Sequence, residues 1–392
     1  MKKIELVIGV PKEIDVNCRC VSLPPKMVST LTGEGYSLIM QARAGEKAFY
    51  PDAFYAEAGA KILPDAESVY GQADVIFKIR PPRVNELTAK HELELMKEEA
   101  TIFSFLNPTQ NRQIVEKLVE RKLTGFAMEL IPRLSRAQSM DALTSLGTVM
   151  GYRAAIIASS LLGKFFPLLM TAGGTIQPAN VLVIGAGVAG LQAIATCKRL
   201  GAKVEAFDTR PAVREQVESL GARFVEMELP KDIETKYGYA KEASPEFLAK
   251  ELEVIGSRLP RTDIVITAAL VYGRKAPCLL TESMVKMMQP GSVVIDLAAE
   301  QGGNCELSEA GKTVEKHSVI IYGARDLPSQ LPLHTSLLYS RNIVNAFHNL
   351  YAADDDTIDL ADEINANALA TYKGELVSEL VKGFFLNKGE TS

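Results

Sequence analysis

Three glycines stand at the spacing G-x-G-x-x-G in Val181-Leu182-Val183-Ile184-Gly185-Ala186-Gly187-Val188-Ala189-Gly190, directly after an apolar run and ahead of a helical pattern. The chemistry that such a turn supports is the binding of a pyrophosphate. Gly185 permits a tight reversal, Gly187 lets the backbone approach phosphate oxygens, and Gly190 lets the helix lie close to the strand, with the helix N-terminus facing the negative charge. The spacing alone is a weak signal. It is strengthened by Asp208, which ends the next apolar run 18 residues beyond Gly190. A carboxylate there accepts hydrogen bonds from ribose hydroxyls and repels a 2′-phosphate, so the pattern selects NAD(H) over NADP(H). Arg210 and Arg214 follow closely and read as solvated charges at a helix start.

The elements that must carry this turn form a βαβ rhythm. Apolar runs at 180–184, 204–207, 223–225, 264–268, 293–297 and 319–322 read as strands with helical patterns between them. An earlier series, with strands at 6–10, 36–40, 75–78 and 102–106, has the same character. The expected fold class is α/β, with two Rossmann-like doubly wound parallel-sheet domains separated by a cleft. A long helical pattern at 139–166, opened by Ser139-Met140-Asp141 as a cap, reads as a spacer between them. The helical pattern beyond Pro332 reads as a return to the first domain. Domain one is therefore expected at 1–137 plus 331–392 and domain two at 138–330.

Composition limits the function classes. The 392 residues carry 43 Lys plus Arg against 48 Asp plus Glu, a net charge of −5 that opposes adsorption to nucleic acid or anionic lipid. The five cysteines are an odd number and widely scattered, which suits reduced thiols in cytoplasm. Cys18-x-Cys20 has no companion cluster, so no metal site is expected. Residues 165–197 are long enough to cross a bilayer and almost free of charge, but Pro167, Gly173-Gly174 and Pro178 interrupt them. No residue is expected to insert into a membrane.

Gly9-Val10-Pro11-Lys12-Glu13, Lys78-Ile79-Arg80-Pro81-Pro82, Ala127-Met128-Glu129, the segment 133–141, the glycine turn, Glu215-Gln216-Val217-Glu218 and Asp296-Leu297-Ala298-Ala299-Glu300-Gln301-Gly302-Gly303-Asn304 occur in an order that resembles the alanine dehydrogenase and pyridine-nucleotide transhydrogenase family. The resemblance spans nearly the whole chain and is to the NAD(H)-binding component of proton-translocating transhydrogenases. It implies that Arg133, Gln138 and Asp141 engage the nicotinamide end of NAD(H); a carboxamide offers both donor and acceptor atoms to such groups. The bland reading of the same residues is an Arg133 or Arg136 pair with Asp141 that opens the spacer helix. The resemblance also implies nucleotide contacts from Val188, Ala189, Thr209, Arg210, Ala268, Leu270, Glu300 and Asn304, and from Tyr239 in a mobile loop.

The two branches of the family differ in chemistry. An alanine dehydrogenase would carry a catalytic histidine in the loop 103–109, where this chain has Asn107, and a catalytic aspartate where it has Glu300. Oxidative deamination needs a general acid/base, whereas hydride exchange between two nicotinamides needs only alignment and exclusion of water. Lys78 and Arg19 remain at positions resembling the dehydrogenase's substrate-binding Lys and Arg, which keeps a soluble NAD-dependent alanine dehydrogenase as the alternative. A non-catalytic NAD-sensing module is a third. The family's Asn-Glu-x-Arg-Val-Ala pattern reads Asn17-Cys18-Arg19-Cys20-Val21-Ser22 here, a less secure match.

The transhydrogenase resemblance implies a homodimer, a partner subunit that binds NADP(H), and a membrane-spanning proton-channel subunit. It implies a cytoplasmic chain associated peripherally with the inner face of the membrane. The membrane portion of the enzyme is expected on other polypeptides.

Overall fold

Runs of Val, Ile and Phe too apolar to face water on either side form the centres of two sheets. The computed structural model describes residues 6–86, 88–227, 245–270, 275–352 and 358–386. They divide into a unit that reaches to Leu146 and resumes at Pro328, and a unit of Gly147–Leu327.

In the first unit, β1 (Val7–Val10), β2 (Ser37–Gln41), β3 (Lys61–Leu63), β4 (Val75–Phe77), β5 (Thr101–Ser104) and β6 (Thr124–Ala127) pair in parallel in the order β6-β5-β4-β1-β2-β3. Strand Leu369–Tyr372 adds antiparallel beside β6, and Glu375–Leu376 closes that edge. The helix Pro332–Leu350 belongs to the same core: it buries Thr335, Tyr339, Ile343, Ala346 and Phe347 at helical spacing. The Phe347 ring lies 5.6 Å from that of Phe77 on β4 and 6.2 Å from that of Phe103 on β5. A segment far downstream in the chain is thus bound into the first sheet by aromatic packing.

In the second unit, β7 (Leu169–Thr171) and β8 (Gly174–Ile176) form a separate antiparallel hairpin with Met170 exposed. The main sheet contains β9 (Asn180–Ile184), β10 (Lys203–Phe207), β11 (Arg223–Phe224), β12 (Ile264–Thr267), β13 (Val293–Asp296), β14 (Thr313–Lys316) and β15 (Val319–Gly323), in the order β11-β10-β9-β12-β13-β15-β14. Only β14 runs antiparallel to its neighbour. Both units are Rossmann-like: strand order reverses between β1 and β4 in one and between β9 and β12 in the other, the points where such sheets open a crevice.

The apolar stretch 165–197 resolves into the hairpin, β9 and most of the helix Val188–Arg199. No helix among the described residues is long and apolar enough to cross a membrane. The spacer helix is Ala142–Leu161, shorter than its sequence pattern, because Ser135–Met140 forms a tighter 3-10 turn and Asp141 caps the α-helix proper. At Gly151 a Cβ would lie 2.0 Å from the Ala189 carbonyl oxygen, so this helix packs directly on the first turn of Val188–Arg199. That contact fixes the end of the helix that follows the glycine turn.

Candidate functional site

The glycine turn uses each glycine for a different reason. Gly185 sits at φ 92°, and a Cβ there would meet the Ala268 carbonyl carbon and the Ala269 nitrogen at 2.9 Å. At Gly190 a Cβ would fall 1.9 Å from the Gly185 carbonyl oxygen, so helix and turn touch backbone to backbone. Gly187 is the opposite case. Its Cβ direction is open, the nearest atom being Arg210 Nη2 at 3.8 Å, and it caps Val188–Arg199 with no side-chain hydrogen bond. An open side, a helix N-terminus and a carboxylate at the end of the next strand suit the phosphates and ribose of a dinucleotide. Val188 and Ala189 are half-buried at the helix start.

Asp208 is buried, and both of its oxygens are engaged. Oδ2 accepts the Ala186 amide at 2.6 Å and Arg210 Nη2 at 3.0 Å; Oδ1 accepts Arg210 Nε at 3.0 Å and the Arg210 amide at 2.9 Å. Arg210 is therefore not the solvated surface charge that its sequence position suggests, but a half-buried clasp on the ribose-reading carboxylate; Arg214 does pair at the surface, with Glu218 and Glu226. The structure adds Glu251, which sequence reasoning missed. It lies on Pro245–Gly256 at 6% exposure, and burial first, then the charge of Asp208, raises its carboxyl to about 7. Its spacing was a readable signal: Glu251 follows Leu248 by three and precedes Ile255 by four, which sets it on the apolar stripe.

Thr209, Ala268 and Leu270 are half-buried around the turn, and the Ala268 amide donates to the Ile184 carbonyl at 2.8 Å. Asn304 is fully buried: its Oδ1 accepts the Ala269 amide, and its Nδ2 donates to the carbonyls of Ala269 and Pro277. It shapes the segment after β12. Glu300 is exposed and accepts the Asp326 amide at 3.1 Å. Tyr239 lies outside the described residues.

Arg133, Gln138 and Asp141 belong to the first unit, the turn residues to the second. Gln138 is exposed and Arg133 half-buried. Asp141 caps the spacer helix, with Oδ1 accepting the Thr144 amide at 2.8 Å and Oδ2 the Thr144 hydroxyl at 2.6 Å. Arg136 pairs with Asp362 at 2.7 Å.

The first unit's switch point, between β1 and β4, carries ions instead of glycines. Lys78 Nζ, with no exposed surface, donates to Glu13 Oε2 at 3.0 Å and Glu92 Oε1 at 2.9 Å. Burial alone would lower the Lys78 pKa, but the charges of Glu13 and Glu92 outweigh it and hold the ammonium above its ordinary value. The remaining carboxylate positions take the amides of Ile79 and Arg83 and the Tyr70 hydroxyl. Arg19 is exposed over the Phe49 ring. In the loop after β5, the amides of Leu106 and Asn107 donate to Glu129, whose carboxyl burial raises to about 7. Among the described residues no group of three or more His, Cys, Asp or Glu is placed to hold a metal ion.

The family model "Alanine dehydrogenase/PNT, N-terminal domain" matches residues 9–150, and "Alanine dehydrogenase/PNT, C-terminal domain" matches residues 154–379. Over 356 residues, 91% of this chain and 68% of the relative, the chain is 43% identical to NAD(P) transhydrogenase subunit alpha of Haemophilus influenzae. An alanine dehydrogenase of Staphylococcus haemolyticus is 29% identical over 393 residues, 96% of each chain. The crystal structure of transhydrogenase from Sinorhizobium meliloti is similar with a TM-score of 0.81 and 36% identity, covering 95% of this chain and 99% of that one.

Proposed function

The chain belongs to the alanine dehydrogenase/PNT family, and on that premise we propose that it is the NAD(H)-binding component of a proton-translocating transhydrogenase. The observation that carries this reading over an alanine dehydrogenase is the filled switch point of the first unit. An amino-acid dehydrogenase needs a free cation for the substrate carboxylate and a group to exchange a proton. Here the Lys78 ammonium is consumed by Glu13 and Glu92, and Asn107, in the loop after β5, has no titrating side chain. Exchange of hydride between nucleotides asks for neither.

When bound, NAD(H) supplies the transferable hydride. The chain's own work is binding and orientation. The turn Gly185-Ala186-Gly187 and the start of Val188–Arg199 face the phosphates, and Asp208 takes the ribose hydroxyls. Gln138 orients the carboxamide together with Arg133 and with Asp141, which Thr144 already holds in place. NADP⁺ sits on a partner subunit, and a membrane-spanning subunit couples the transfer to proton movement. The chain works as a homodimer; the exposed apolar residues Phe165, Leu168 and Met170 at the hairpin supply a surface for association. It acts at the inner face of the membrane through its partners.

The test is to mix the purified chain with the NADP(H)-binding domain of a transhydrogenase and follow hydride transfer, with alanine plus NAD⁺ assayed in parallel. Transfer between nucleotides without alanine turnover is expected. Alanine turnover without transfer would replace this reading with the dehydrogenase.

A further inference from the structure

The helix Pro332–Leu350 carries Asn342, Asn345 and Asn349, spaced three and four residues apart so that they form one stripe. The Nδ2 groups of Asn342 and Asn345 both donate to the Ser139 carbonyl, at 2.9 and 3.2 Å. Asn349 Nδ2 donates to Asp362 Oδ1 and Asn365 Oδ1, at 3.3 and 3.0 Å, and Asp362 Oδ2 lies 2.7 Å from Arg136 Nη2. The stripe therefore grips the 3-10 turn Ser135–Met140 at two points, two residues before Gln138 and one residue after it.

Asparagine is a poor residue for a helix interior, and burying its amide is costly unless both ends are paired. Asn342 is buried with its Oδ1 unpartnered, so even the best placed of the three is not fully satisfied. A helix serving only the core would be better built from Leu at these positions. Three amides aimed at one short turn fit a different task, since a turn with an exposed glutamine at its centre has little packing of its own to hold it.

We infer that the asparagine stripe of Pro332–Leu350 is a positioning device for Gln138, holding the turn Ser135–Met140 in the geometry from which Gln138 orients the nicotinamide. The inference rests on the transhydrogenase reading above. The three asparagines touch neither nucleotide nor reacting atoms; they act through Ser139 and Arg136.

Asn345→Asp, at an exposed position, keeps the side chain's shape while replacing the donor with an acceptor. Asn342→Leu is the companion variant, and circular dichroism checks that both fold. Hydrogen–deuterium exchange at amides 135–141 should quicken by about fivefold or more. Hydride transfer to NADP⁺ on the partner domain should fall by about tenfold or more while NADH affinity changes by less than about threefold. Unchanged exchange in the turn, or transfer that falls only in step with NADH affinity, overturns the inference. A wild-type chain that transfers no hydride at all overturns the functional reading, and the exchange measurement alone then decides whether the stripe holds the turn.

Discussion

Asp208 and Arg210 form a closed clasp in which Arg210 meets the carboxylate through Nε, Nη2 and its own amide, while the Ala186 amide of the glycine turn holds the same carboxylate from the other side. The residue that reads the ribose and the cation best placed to receive a 2′-phosphate therefore neutralise each other. Discrimination between nucleotides depends on that balance.

Removing the carboxylate should tip it. Asp208→Ala deletes the ribose acceptor and frees the Arg210 guanidinium beside the open side of Gly187. Fluorescence titration should show NADH binding weakened by about tenfold, the cost of roughly one charge-assisted hydrogen bond, with NADPH binding improved. Adding Arg210→Ala should abolish the NADPH gain. Undiminished preference for NADH in Asp208→Ala would mean that another group reads the ribose.

Gln138 is exposed and is proposed to act on orientation more than on affinity. Gln138→Asn keeps the amide and shortens its reach by one methylene. Stopped-flow measurement should show hydride transfer slowed by about tenfold or more, with the NADH dissociation constant within about threefold of wild type. Equal transfer in both proteins would remove Gln138 from the nicotinamide site.

Glu251 makes stability depend on pH. Its folded carboxyl titrates near 7, above the ordinary value of 4.5. The unfolded chain therefore releases its proton first, and the neutral buried form contributes stability that is complete below about 4.5 and lost as pH rises through 7. Glu251→Gln removes this loss. The variant should match wild type near pH 4.5 and exceed it above pH 7 by on the order of 1–3 kcal/mol in denaturant unfolding. Parallel stability curves across that range would show that Glu251 is already ionised when buried.

Lys78 separates a structural ion from a substrate-binding one. Lys78→Met leaves Glu13 and Glu92 buried without their cation, and breaking such a cluster costs about 3–5 kcal/mol. Urea titration should show that loss, while NADH affinity of the folded fraction stays at the wild-type value. A variant of unchanged stability would return Lys78 to the role of a free cation awaiting a carboxylate.

The sequence by itself was enough for the glycine turn, Asp208 and most strands around them, because turn chemistry and apolar periodicity act over a few residues. Even there it had limits. The short, glycine-containing β6 and the two-residue strand Glu375–Leu376 carry too little apolar pattern to stand out, and they form because a neighbouring strand supplies the hydrogen bonds. Asp141 was legible as a cap because its partner, Thr144, lies three residues on. Arg133, Gln138 and the roles given to them came from motif resemblance, since nothing in an arginine or an exposed glutamine announces a ligand.

Partner choice among long polar side chains was decided only in three dimensions. Glu13 meets Lys78 across 65 positions, and Asn342 meets Ser139 across 203. No local rule links such residues; they meet because a sheet and a returning helix bring distant segments together and exclude water from the contacts. That is why the sequence could offer Lys78 as a substrate cation and Arg210 as a surface charge, and why the fold shows the first closed between two carboxylates and the second locked on Asp208. Chemistry that rests on spacing is written in the chain, whereas chemistry that rests on desolvated pairs exists only once packing has chosen the pairs.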